Sequence, residues 1–206
     1  MFDTSRNAEA IKKKVACITD RDPVRKKKDT NGGFERCYPF ELGNADYEEK
    51  EHADELITRY KDNETIHVFS QDATYGKTLE YDLMRTNSAS SILLTPNLAN
   101  KEELEEIQSK DYPACLEKMR GSKTNERIKD ALTASKWMNE EKKKALLAAR
   151  YLNSVGKGAN ALELSSLLKE NLCKEGDARI PFVIPDYIKE AIEWLLKSSS
   201  PTTTSK

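Results

Sequence analysis

The segment Thr19-Asp20-Arg21-Asp22-Pro23 places two carboxylates two residues apart, directly after an apolar run. In an extended segment such positions point to the same side, and two acids so close repel each other unless a cation stands between them. Oxygen ligands alone suit a hard ion such as Mg²⁺ or Mn²⁺. The plainer alternative is a turn, because Asp-Pro commonly opens a loop. A third acid, Glu80, lies in Thr78-Leu79-Glu80-Tyr81-Asp82-Leu83, which reads as the opening of a helix, where the dipole favours a carboxylate. Glu80 reaches the same ion as Asp20 and Asp22 if the strands preceding the two segments are neighbours. Asp82 then supports the site from outside or is simply solvated.

Two lysine-bearing loops bear on phosphate chemistry. Val155-Gly156-Lys157-Gly158-Ala159 precedes a helical stretch. Its glycines permit close backbone approach, and Lys157 could offset the charge that develops on a phosphate during hydrolysis. A helix-junction turn with an exposed lysine explains the same residues. Gln71 to Thr78 ends in Gly76-Lys77-Thr78 like a phosphate-binding loop, but Gln71 replaces the first glycine on which the backbone nest depends. That substitution argues against a nucleotide loop.

The elements that must position these residues follow from periodicity. Val15 to Thr19 and Thr65 to Ser70 are β-branched runs that read as buried strands of a parallel sheet. Between them the pattern predicts a polar loop over 26–44 and a helix from Asp46 to Lys61. That helix opens on Asp46 and Glu49 at capping-box spacing. From Leu79 the chain reads as helical: Leu104 and Ile107 after Asn100; Ile128, Ala131 and Leu132; Leu147 and Tyr151 after Asn139; Ala161, Leu164, Leu168 and Leu172; and Ile188, Ala191, Ile192 and Leu195 after Pro185. Strand, helix, strand and then helices predict an α/β fold, a partial parallel sheet with a C-terminal mainly helical region.

Composition narrows the class further. The 206 residues are 33% charged and 37% hydrophobic with net charge −1, so any nucleic-acid surface must be local. Lys12 to Lys14 and Arg25 to Lys28 flank the first strand and could meet DNA phosphates, although charge runs more often face solvent. No apolar run is long enough to cross a bilayer, and the four scattered cysteines lack metal-ligand spacing. Cys17, within the first strand, reads as a buried reduced thiol. A cytoplasmic protein outside the membrane is expected. His52 and His67 show no ligand spacing, and Trp137 and Trp194 fall at core-like or interface-like helical positions.

Val15 to Pro23, Thr78 to Leu83, Gly156 to Leu162 and Ile184 to Leu195 together, in this order, resemble the nuclease part of the overcoming-lysogenization-defect (OLD) family. Those proteins carry an ATPase domain followed by a topoisomerase–primase (TOPRIM) domain with appended helices. The resemblance implies that Asp20, Asp22 and Glu80 bind Mg²⁺ or Mn²⁺, two ions in a complete site, and that Lys157 supports the scissile phosphate. It implies metal-assisted phosphodiester hydrolysis, with DNA as substrate and an ATPase domain or subunit, or a second copy of the chain, as partner. It divides the chain into a partial TOPRIM-like core over 1–97, a helical insertion over 98–155, and the lysine motif and last helices over 156–197; the Ser/Thr-rich stretch 198–206 reads from its composition as a disordered tail. The family's first glutamate-bearing strand has no counterpart before Val15, so the expectation is a domain that needs a missing N-terminal part for activity. A second reading, from another class, makes the acids idle and the helices a dimerisation or DNA-binding module.

Overall fold

The computed structural model describes residues 2–3, 6, 9–11, 13–119 and 121–197, with backbone alone at Lys157. The fold is α/β, with two small sheets and a mainly helical remainder. β1 (Val15–Ile18) pairs in parallel with β5 (Ile66–Phe69), Val15 opposite Ile66 and Ile18 opposite Phe69. This is the predicted neighbour relation. β5 is largely buried, but β1 is not: Ile18 is 52% exposed, and Cys17 is exposed and not the buried thiol its apolar neighbours suggest.

The region between them departs from expectation. β2 (Val24–Lys27), β3 (Glu35–Arg36) and β4 (Tyr47–Lys50) form a second, antiparallel sheet in the order β3-β2-β4. Its logic is electrostatic: Arg25 stands opposite Glu49 and Lys26 opposite Glu48, and opposite charges across a ladder stabilise it. The acidic stretch expected to open a helix is therefore a strand. Glu49 accepts from the Gly43 amide at 2.8 Å instead of capping a turn, and α1 (His52–Tyr60) starts only after it.

Beyond β5 the helices are α2 (Leu79–Thr86), α3 (Lys101–Ser109), α4 (Tyr112–Lys118), α5 (Lys123–Ala134), α6 (Asn139–Leu152), α7 (Lys157–Leu172) and α8 (Asp186–Leu196). α6 is the hub. Every residue from Ala145 to Tyr151 is buried, as in a helix wrapped on all sides, and Arg150 is held there by a bidentate bond to Glu103 at 2.7 and 2.9 Å. Tyr81 and Met84 of α2 share one core with Leu104, Ile107, Ile128, Leu132, Leu146 and Leu147. α6 is thus packed onto α2, and α3, α4 and α5 pack onto α6 in turn. Each such side chain contributes roughly 1.5–3 kcal/mol by burial.

α8 folds back onto the parallel pair. Its inward face is Tyr187, Ala191 and Trp194, rotated from the expected stripe, and Ile192 and Leu195 are exposed. The Trp194 ring lies 5.5 Å from His67 and 6.1 Å from Phe69. Lys14 caps the helix end, donating to the carbonyls of Trp194 (3.2 Å) and Lys197 (2.5 Å). Trp137 sits not on a helix but before α6, edge-on to Phe40 and Tyr75. No helix among the described residues is long and apolar enough to cross a membrane. The expected tail, 198–206, lies outside the described residues.

Candidate functional site

The site gathers where β1 and β5 end. Beyond Ile18 the chain does not stay extended: Asp22 adopts φ 40°, a left-handed conformation that Asp tolerates better than most residues. The turn sends the two acids to different partners. Asp20 Oδ1 accepts from Gln71 Nε2 (2.7 Å) and from the Leu79 amide (3.0 Å), the first amide of α2. A carboxylate there satisfies an orphan donor and meets the positive end of the helix. Asp22 Oδ1 instead accepts from Lys77 Nζ (3.2 Å), and its Oδ2 lies 3.6 Å from Arg36 Nε. The same-side geometry expected for the pair is replaced by this divergence, although both acids line one cleft with Thr19, His52, Leu79 and Tyr187.

Arg21, between them, is buried and anchors the turn. Its backbone amide donates to Gln71 Oε1 at 2.8 Å and its Nε to the Gln71 carbonyl at 2.6 Å. Its guanidinium pairs with Glu51 and Asp54. Burial raises the pKa of Glu51 despite that partner, so the pair is held by geometry against a desolvation cost. Gln71, 1% exposed, is the shared bracket of Asp20 and Arg21.

Glu80 lies in the first turn of α2, as expected, with Thr78 as the N-cap accepting from the Tyr81 amide. Its charge, added to burial, raises the phenol of Tyr151 to about 12. Asp82 is not solvated: it is buried, and burial with the nearby charges of Asp20 and Asp72 pushes its carboxyl up to about 7, against the lowering pull of Arg85. Asp20, Glu80 and Asp82 also act together on Tyr187, whose phenol burial and these carboxylates raise to about 12. The helix start therefore concentrates negative charge around Asp20.

The loop before α2 is closed on itself. Asp72 Oδ1 takes the amides of Thr74 (2.8 Å) and Tyr75 (3.0 Å), and buried Lys77 donates to the Cys37 carbonyl at 2.8 Å. Its amides and lysine, which a phosphate-binding loop would offer to a nucleotide, are engaged internally. A Cβ at Gly76 would stand 2.2 Å from Gln71 Cβ and 2.6 Å from the Asp72 carbonyl. Gly76 is thus required by close packing against the bracket residue.

The other expected residues are placed unevenly. Lys157 begins α7, and its side chain lies outside the described residues. Asn160 caps this turn, accepting from the Gly156 amide at 2.6 Å, and a Cβ at Gly158 would meet nothing within 4 Å. Of the basic runs, Lys12 lies outside the described residues, Lys14 caps α8, and Arg25 is drawn to Glu41 at 2.9 Å and onto the Tyr47 ring. His67 packs between rings, as a structural residue does. His52, Tyr187 and Gln71 are not among the residues whose types and spacing mark the site. Tyr187 had a signal in its spacing to Ala191 and Trp194, whereas Gln71 and His52 had none.

Against family models, curated proteins and solved structures, the chain finds no match.

The donor set fits a hard divalent ion in part. Asp20, Glu80 and Asp82 lie around one helix start, Asp20 engaged with Gln71 and the Leu79 amide and Asp22 with cations. Among the described residues no three His, Cys, Asp or Glu side chains converge as ligands in this arrangement.

Proposed function

We propose that this chain carries a metal-dependent DNA endonuclease domain of the OLD type, with a TOPRIM-like α/β core, hydrolysing phosphodiester bonds. The observation that carries this reading is Asp20. It sits past the C-terminal end of a parallel strand, in the crevice where open α/β sheets place ligands, and is bonded to the start of the helix that bears Glu80.

Asp20 and Glu80 would hold Mg²⁺ or Mn²⁺, with Asp22 joining by giving up Lys77 and Arg36. A bound ion polarises the phosphate and lowers the pKa of the attacking water. The chain's own contribution is placement: Gln71 and the Leu79 amide fix the Asp20 carboxylate, and Arg21 fixes the turn. Lys157 is assigned to the scissile phosphate, and DNA and an ATPase domain or subunit are the expected partners.

The direct test is Mn²⁺ titration of the whole chain, followed by metal-dependent plasmid nicking. Asp20→Asn keeps an acceptor for Leu79 but loses the charge, and with Glu80→Gln should abolish tight Mn²⁺ binding. Binding unchanged in both variants, or nicking unaffected by Asp20→Asn, sinks the reading. One observation favours the alternative of a non-catalytic dimerisation or DNA-binding module, namely the pairing of Asp22 with Lys77 and Arg36. That alternative predicts no Mn²⁺ binding to wild type.

A further inference from the structure

The antiparallel sheet turns one face to the body of the protein and the other to solvent. Side chains alternate along each strand, so the register assigns them. Arg25, Glu35 and Glu49 share one face, and Val24, Arg36 and Lys50 the other. Arg25 reaches the buried Glu41 at 2.9 Å, which makes its face the packed one. Lys26 and Glu48, opposite each other and each two residues along from Val24 and Lys50, belong to the outer face. Lys50 Nζ lies 4.3 Å from the centre of the Phe34 ring, which places Phe34 there as well.

Packing does not account for this outer face. Phe34 is 39% exposed and lies outside the hydrophobic core. Around it stand Arg36, Lys26 and Lys50, with Glu48 as the acid among them, bridged to Lys50 at 3.2 Å. The chain as a whole carries a net charge of −1, so this basic surface is local, as a nucleic-acid surface on such a protein must be. Arg36 Nε also lies 3.6 Å from Asp22 Oδ2, and Asp22 lines the acidic cleft. The basic face and the cleft therefore adjoin. Their chemistry selects the occupant: the cations match phosphates, and an exposed ring among them is a stacking platform for an unpaired base, since a duplex keeps its base faces stacked.

We propose that the outer face of the β3-β2-β4 sheet binds a single-stranded stretch of nucleic acid and leads it to the acidic cleft, with a base stacked on Phe34 and phosphates met by Arg36, Lys26 and Lys50. The proposal rests on the nuclease reading for what the cleft does to that strand. It makes the substrate single-stranded where it enters, and it gives a sheet built from charged residues a task beyond its own pairing.

The test measures binding of the full chain, by fluorescence anisotropy in EDTA, to a labelled oligothymidylate of about 15 nucleotides, a length such surfaces accommodate. Wild type should bind it more tightly than an oligothymidylate–oligodeoxyadenylate duplex of the same length. Phe34→Ala should weaken binding about tenfold, the loss expected for one stacked base. Combining Lys26→Gln, Arg36→Gln and Lys50→Gln should flatten the log–log dependence of affinity on salt by about 2, at about 0.7 for each phosphate contact on a single strand. The same charge change made with Lys101→Gln, Lys118→Gln and Lys189→Gln, on α3, α4 and α8, should leave that slope as it is. Unaltered affinity in Phe34→Ala, an unaltered slope in the first triple variant, an equal change in the second, or tighter binding of the duplex each overturns the proposal. These measurements need no metal, so their failure leaves the acidic site standing. Mn²⁺ binding indifferent to Asp20→Asn instead sinks the nuclease reading, and with it the cleft as the strand's destination.

Discussion

Asp22 and Lys77 hold each other twice: the Asp22 amide donates to the Lys77 carbonyl at 3.0 Å, and Lys77 Nζ donates to Asp22 Oδ1 at 3.2 Å. The lysine side chain is 6% exposed and the aspartate 34%, so the pair is screened on one side only. It joins the turn after β1 to the loop before α2, and it competes for the carboxylate that a metal ion would need.

Lys77→Met should therefore have two separable effects. It leaves the Cys37 carbonyl without its lysine donor and should lower stability by about 2 kcal/mol in urea unfolding. It also releases Asp22, so Mn²⁺ affinity should rise. An unaltered urea midpoint would show that the pair contributes nothing to folding, and weaker Mn²⁺ binding would show that Asp22 is no ligand.

Gly76→Ala should be far more damaging than a typical loop substitution. The added methyl meets Gln71 Cβ and the Asp72 carbonyl well inside contact distance, and relief requires the backbone to move. A loss of about 3 kcal/mol is expected. Because Gln71 brackets Asp20, metal binding should fall with it. A variant as stable as wild type in a thermal melt would refute the packing described around Gln71.

Asp82 gives the metal-free protein a pH-dependent stability. Its folded pKa, pushed up to about 7 from 3.8 by burial and neighbouring carboxylates, lies above the unfolded value. Between those two pH values the folded state holds a proton that the unfolded chain has released, so stability falls as pH rises through the window and levels off above it. Asp82→Asn removes the ionisable group. In EDTA it should be more stable than wild type at pH 8, by at most about 4 kcal/mol, with the gain vanishing below about pH 4. Parallel stability–pH curves for the two proteins would contradict this.

The thiols should separate by environment. Cys17 and Cys173 are exposed and Cys37 and Cys115 buried, and burial, helped by Glu41, raises the Cys37 thiol to about 12. Reactivity follows the thiolate, so iodoacetamide at pH 8 should label Cys17 and Cys173 and spare the other two in mass spectrometry. Rapid labelling of Cys37 would mean that the contact between its segment and Lys77 opens readily.

The helical half was legible because Leu, Ile and Ala recur at helical spacing and their burial decides the packing, as with Ile128 and Leu132 in α5. The β1–β5 pairing was legible for the same reason, in β-branched residues. The β2–β4 ladder was not, because it is built from Arg25, Lys26, Glu48 and Glu49, and charge complementarity across strands leaves no periodicity along either one. In the site, Asp20 and Glu80 could be read from an acid after a strand and an acid in a first helical turn. The divergence of Asp22 could not, since it depends on one left-handed residue and on Lys77, whose place is set by tertiary packing. His52 and Tyr187, which line the cleft, and Gln71, which brackets Asp20, come from separate parts of the chain, and only folding brings them together.

Arg21 gives the turn between β1 and β2 a mechanical character. Its guanidinium is clamped between the residues that open α1 and the Gln71 carbonyl that follows β5, so the turn has no hinge of its own. One buried side chain thus rivets the turn that carries both acids to the start of α1 and to the end of β5 at once.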